Sequence, residues 1–108
     1  MPPQPMEVYY LATQLNLSGD RRYCLAVDAP SGALVNILQI SAQMDMYEAV
    51  SDFKISAGHP DFAATGLKRD SYIMPRIIAE PIAKFAPGTY RGRLTGHLLE
   101  EFRKWFGD

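Results

Sequence analysis

At 108 residues with a net charge of −1, the chain is sized for one domain with a single modest core, and as a whole it carries no cationic excess for gripping a polyanion. The single cysteine, Cys24, excludes an intramolecular disulfide framework, and its apolar neighbours Leu25-Ala26-Val27 favour a buried structural thiol. No stretch approaches the ~20 apolar residues of a membrane span, and the N-terminus lacks the basic start and long apolar run of a secretory leader. The expectation is a cytoplasmic protein with no membrane partner. Charge is nevertheless uneven. Residues 1–67 hold three basic side chains against seven acidic ones, and residues 68–108 hold eight against five. A local basic surface is enough to attract an anionic polymer, although ordinary solvated charges give the same tally.

Residues 1–6, with three prolines, predict a flexible N-terminal arm. Glu7–Ala12, rich in Val, Tyr and Leu, predicts a first strand, and Asn16–Asp20 groups the turn formers of a loop. Tyr23–Asp28 and Ala33–Ser41 predict two strands joined by Ala29-Pro30-Ser31-Gly32, where proline presets a negative φ and glycine accepts a positive one. Both strands are almost continuously apolar, which implies burial on both faces or a closed barrel.

Residues 42–66 show no clear period. Met44, Met46, Tyr47, Val50, Phe53 and Ile55 are expected as apolar anchors, and Gly58-His59-Pro60-Asp61 marks a turn. Whether residues 42–62 form a helix, a strand or a flap is open. Asp70–Met74 predicts a strand that Pro75 interrupts and Arg76–Glu80 resumes. Pro81, Pro87 and Gly88 argue against a long helix here, and Arg91–Leu94 reads as a short basic strand or link.

Residues 95–106 predict a helix. Thr95 is a good N-cap, and Leu94 and Leu99 are placed for a hydrophobic staple. Leu98, Leu99, Phe102, Trp105 and Phe106 form one apolar face. Glu100 and Lys104 stand one turn apart, and Gly107 supplies the stop. The sum is a mainly β, α+β domain over residues 7–108: a small, strongly bent sheet or partly open barrel with a C-terminal helix packed on it.

The motifs exclude several chemistries. His59 and His97 lack partners at metal-ligand spacing, so no metal site is expected. There is no Gly-rich phosphate loop, no Gly-x-Ser-x-Gly elbow and no Cys–His pair of known spacing, and no cofactor is implied. What remains is an arrangement of strand ends. Arg21-Arg22-Tyr23 enters one strand and Ser41 ends the next, so an arginine and a hydroxyl can face one cleft and hold a phosphate.

The order of elements, with these residues, resembles the MazF/PemK-type toxin family of bacterial toxin–antitoxin systems. Glu7-Val8-Tyr9-Tyr10 resembles the family's opening strand, with Met6 where a glycine is usual. Arg22 resembles its arginine at the entry to the second strand, followed here by Tyr23 in place of proline. Gln39-Ile40-Ser41 is similar to its Pro-Ile-Thr. Thr65-Gly66-Leu67-Lys68-Arg69-Asp70-Ser71-Tyr72-Ile73 is similar to its Gly-Leu, Lys-Asp-Ser and following strand. Gly92-Arg93-Leu94 with Leu98-Leu99-Glu100-Glu101 is close to its Gly-x-Leu and terminal helix. The pattern runs over residues 7–106, and the insert Ala42–Phe62 departs from it.

The resemblance implies an SH3-like barrel, a homodimer, metal-independent endoribonuclease activity on single-stranded RNA, and an antitoxin that covers the same groove. Carried over by position, Arg22 stabilises the phosphate and Ser41 holds it as the catalytic pair. Tyr10, Tyr23, Arg21, Arg91 and Arg93 are the expected RNA contacts, with Tyr10 or Tyr23 offering a stacking surface. Two alternatives stand beside this. One is a non-catalytic member of the same fold acting as a dimeric protein- or nucleic-acid-binding module. The other is an unrelated all-β adaptor whose aromatic residues bind a peptide.

Overall fold

Strand-forming runs separated by glycine- and proline-containing turns give β1 (Glu7–Ala12), β2 (Arg21–Ala26), β3 (Leu34–Ser41), β4 (Phe53–Ile55), β5 (Ser71–Pro81) and β6 (Tyr90–Arg93), followed by the helix α1 (Gly96–Phe106). The computed structural model describes residues 2–14 and 18–107; of the loop expected over Asn16–Asp20, residues 16 and 17 lie outside them. All pairings are antiparallel, in the order β4-β5-β3-β2-β1-β6, and the sheet curls into a half-barrel with α1 against one face.

The missing polar alternation in β2 and β3 has its cause here, because both faces of the sheet are covered. One face carries Val8, Leu25, Leu38, Ile40, Phe53 and Ile73 and meets Leu98 and Phe102 of α1. The other carries Tyr9, Leu11, Cys24, Ala26, Val35, Ile37 and Phe85. Cys24 is fully buried, as its setting implied. Burial first, and then the Glu80 carboxylate, push its thiol up to about 12. Glu80 is itself fully buried and is satisfied on both oxygens. One accepts from Lys84 Nζ at 2.8 Å and the other from the Gln14 amide at 2.7 Å, which ties the exit of β1 to β5.

The curl is closed at a seam between two glycines. A Cβ on Gly66 would lie 2.1 Å from the Arg91 carbonyl oxygen, and one on Gly92 would lie 2.2 Å from the Ala64 carbonyl oxygen. The turn Ala63–Thr65 and the edge strand β6 therefore touch backbone to backbone, and Gly66 also has a positive φ of 74°. Thr65 is wholly buried in this seam, with its hydroxyl bonded to the Phe62 carbonyl.

Several expectations change in detail. Pro75 does not split β5, which runs unbroken for 11 residues. The strand bulges instead: Ile40 pairs with Ile73 and Leu38 with Ile77, so the extra residues around Pro75 leave the ladder and need no amide donor. Residues 42–66 contain a 3₁₀ turn at Met44–Met46, the short β4, and the turn Ala63–Thr65. Phe53 and Ile55 are core, but Met46 is exposed and Val50 is 100% exposed, so these two anchor nothing.

The loop carrying Met46 and Val50 is held elsewhere, by Trp105 Nε1 donating to the Ser51 carbonyl at 3.0 Å. Residues 2–6, expected as a loose arm, lie against the barrel with Pro3 and Met6 buried. The Met6 amide donates to the Ala26 carbonyl and its own carbonyl accepts from Leu94.

The helix keeps its expected extent, its Gly107 stop and its apolar face. Its N-terminus differs. Thr95 occupies the cap position without a side-chain bond, and Asp61 Oδ2 accepts the Leu98 amide at 3.3 Å instead. Glu100 faces His97 at 3.5 Å, not Lys104. His97, in the first turn, is exposed.

Candidate functional site

Antiparallel registers place the expected residues at one end of the sheet. Tyr10 of β1 pairs with Tyr23 of β2, and Tyr23 pairs with Ile40 of β3. Carried one residue further, the same register sets Arg22 across from Ser41, where β2 begins and β3 ends. Side chains alternate along a strand, so Arg22 and Ser41 leave from one side of the sheet while Tyr10, Tyr23 and Arg21 leave from the other. At the strand ends the two sets border the same hollow.

That hollow has a volume of about 460 Å³, and Arg21, Arg22, Tyr23, Tyr10, Gln39 and Ser41 are on its walls. The remaining wall comes from Ile40, from Ala42, Gln43 and Met46 in the segment after β3, and from Tyr72 and Met74 of β5. A second hollow of about 380 Å³ shares Tyr10, Tyr23 and Ala42 with the first and adds Lys68, Arg69 and Arg91. The two form one groove, cationic at both ends and aromatic in the middle.

Each polar group has a definable state. Arg21 and Arg22 are exposed, and among the described residues neither makes an ion pair with an acid. Arg22 donates from Nη1 to the Arg21 carbonyl at 3.0 Å, which leaves most of its fork of donors to solvent. Ser41 Oγ accepts the Gln43 amide at 3.1 Å, a local turn bond that leaves the hydroxyl hydrogen free to donate. Gln39 is steadied by Thr13, whose hydroxyl donates to Oε1 at 2.8 Å.

The Tyr10 and Tyr23 rings lie 4.8 Å apart. The Arg91 guanidinium sits 5.3 Å from the Tyr10 ring centre, held by the Gly88 carbonyl at 2.6 Å.

Of the seven expected site residues, six border this groove; Arg93 does not, being exposed on β6 opposite Glu7. Lys68 and Arg69 were missed as site residues, and their signal was the basic pair just before β5. Met46, expected as an apolar anchor, is instead exposed groove wall. Among the described residues, no Asp, Glu or His lines either half of the groove.

Such a surface can hold a phosphodiester on Arg22 and Ser41, neutralise a neighbouring phosphate on Arg21, and stack a base near the tyrosines. No helix among the described residues is long and apolar enough to cross a membrane. No protein-family model matches the chain, and no curated protein matches it.

Proposed function

We propose that the chain is a MazF/PemK-like endoribonuclease that binds single-stranded RNA in this groove and cuts it at a phosphate held by Arg22 and Ser41. The observation that carries the reading is the meeting of Arg21, Arg22, Ser41, Tyr10 and Tyr23 around one hollow, although they come from three strands. Two backbone facts support the resemblance itself. Met6 stands where the family has glycine, and its φ of 70° is one that glycine adopts freely. Gly66 and Gly92, each within a resembling motif, are the pair that closes the barrel seam.

In the reaction the ribose 2′-oxygen attacks the adjacent phosphorus and the 5′-oxygen leaves, giving a 2′,3′-cyclic phosphate and a free 5′-hydroxyl. The 2′-hydroxyl proton is lost and the leaving oxygen gains one. The Arg22 fork and the Ser41 hydroxyl stabilise the charge that develops on the phosphoryl oxygens, without a metal. By the same resemblance the working form is a cytoplasmic homodimer whose groove an antitoxin segment covers.

A second reading, the same groove binding RNA without turnover, is favoured by one observation. Among the described residues, no carboxylate or imidazole lines the groove to take the 2′-hydroxyl proton.

The test is a long single-stranded RNA in EDTA, with wild type beside Arg22→Ala. Cleavage by wild type is expected to fall by about 10²–10³-fold in the variant, the usual loss when one transition-state donor is removed. Undiminished cleavage by Arg22→Ala removes the site assignment. Binding with no cleavage by folded wild type selects the second reading, and absence of binding removes both.

A further inference from the structure

Alternation along β1 sends Tyr10 to the groove and Tyr9 to the opposite face. There Tyr9, Phe85 and Tyr90 border a separate cavity of about 350 Å³ that shares no residue with the groove. The Tyr9 ring stands 83° to Phe85 at 5.0 Å and 79° to Tyr90 at 5.8 Å. Pro2 and Pro87 add apolar wall, Gln4 and Ala86 complete the lining, and among the described residues the one charged group on it is the Glu7 carboxylate.

Glu7 is held in place. Its Oε1 accepts from the Tyr9 hydroxyl at 2.6 Å and from the Gln4 amide at 2.6 Å. Its Oε2 makes no hydrogen bond among the described residues, and no ion pair there includes Glu7, although Arg93 stands opposite it on β6. Burial, and next the Glu7 contact, push the Tyr9 phenol well above its ordinary range, so it remains a donor to that carboxylate.

We infer that this cavity is a binding site for a methylated ammonium group, with Tyr9, Phe85 and Tyr90 as its aromatic walls and Glu7 as its counter-charge. Three rings, two of them perpendicular to Tyr9, line one space beside a carboxylate, a combination that favours a cation over a neutral occupant. The choice among cations follows from the lining. The Tyr9 hydroxyl is spent on Glu7, and Phe85, Pro2, Ala86 and Pro87 carry no side-chain acceptor, so the side-chain acceptors left on the lining are Glu7 Oε2, the Gln4 amide oxygen and the Tyr90 hydroxyl. A primary ammonium needs an acceptor for each of its three donors, whereas most of this wall is ring and proline carbon, which suits a group faced with methyls. A methylated ammonium has few donors or none. The inference stands independently of the RNA reading.

The full chain is titrated with choline and with 3,3-dimethyl-1-butanol, its neutral carbon isostere, while the tyrosine ring resonances are followed by NMR. Choline is expected to shift the Tyr9 and Tyr90 signals and to bind at least tenfold more tightly than the isostere. Tyr90→Ala, at a half-exposed position, and Glu7→Gln should each weaken choline at least tenfold. Equal binding of choline and isostere makes the cavity merely apolar and overturns the inference. So does choline binding unchanged in both variants, or no shift with choline in the millimolar range.

Discussion

Cys24 shows how a single side chain reports its surroundings. Its thiol is pushed up to about 12 by burial and by Glu80, whereas in the unfolded chain it titrates near 9. Between those values the folded state holds a proton that the unfolded state has lost, so the term is fully present below pH 9 and is lost as pH rises toward 12. Stability should therefore fall through that window by at most about 1.4 kcal/mol per pH unit from this group. Denaturant titrations at stepped alkaline pH check this, and Cys24→Ala should have the shallower slope. The burial of Cys24 was readable from its apolar run. The replacement of Thr95 by Asp61 at the head of α1 was not, because 34 residues separate them and only the docked turn His59–Asp61 brings that carboxylate to the helix.

Elements meet here through backbone as much as through side chains. The seam between Ala63–Gly66 and β6 has no room for a Cβ, so Gly66→Ala adds both overlap and a strained positive φ. It should cost about 3 kcal/mol or more, the sum of an overpacking and a left-handed-backbone term. Gly107 also has a positive φ, but a Cβ there meets nothing within 4 Å, so Gly107→Ala should cost only about 1 kcal/mol. Chemical denaturation of the two variants separates steric closure from backbone preference, and equal losses would refute the seam as a close-packed joint. The boundaries of β1, β2, β3 and β6 were legible to within two residues because turn formers and β-branched runs mark them, whereas β4 lay in the segment left open. Continuity of β5 through Pro75 was not legible, because it depends on β5 itself bulging out of its ladder with β3 at the proline.

At the scale of the whole molecule, a chain of net charge −1 still gathers Arg21, Arg22, Lys68, Arg69 and Arg91 along one groove. Local concentration, not net charge, governs attraction of a polyanion. Single-stranded RNA binding should therefore weaken with salt, with a log–log slope of roughly −0.7 for each phosphate contact. Arg21→Ala should flatten that slope by roughly 0.7, while Arg93→Ala, outside the groove, should leave it unchanged. Fluorescence anisotropy of a labelled oligonucleotide at several salt concentrations measures both. A flattening on Arg93→Ala equal to that on Arg21→Ala would remove the groove as the binding surface.

The sequence alone determined the mainly β class, the terminal helix with its apolar face, the buried thiol, and the candidate pairing of Arg22 with Ser41. Each of these rests on a local pattern: alternation or continuity of apolar residues, a cap and a stop, or residues at the ends of consecutive strands. Only the tertiary structure decided that Lys68, Arg69 and Met46 border the same groove, that Arg93 stands outside it, and that Tyr9 and Tyr10 serve two separate cavities. Those facts depend on register, on the bulge in β5 and on the glycine seam. They are set by contacts between distant parts of the chain, where no local pattern carries the information.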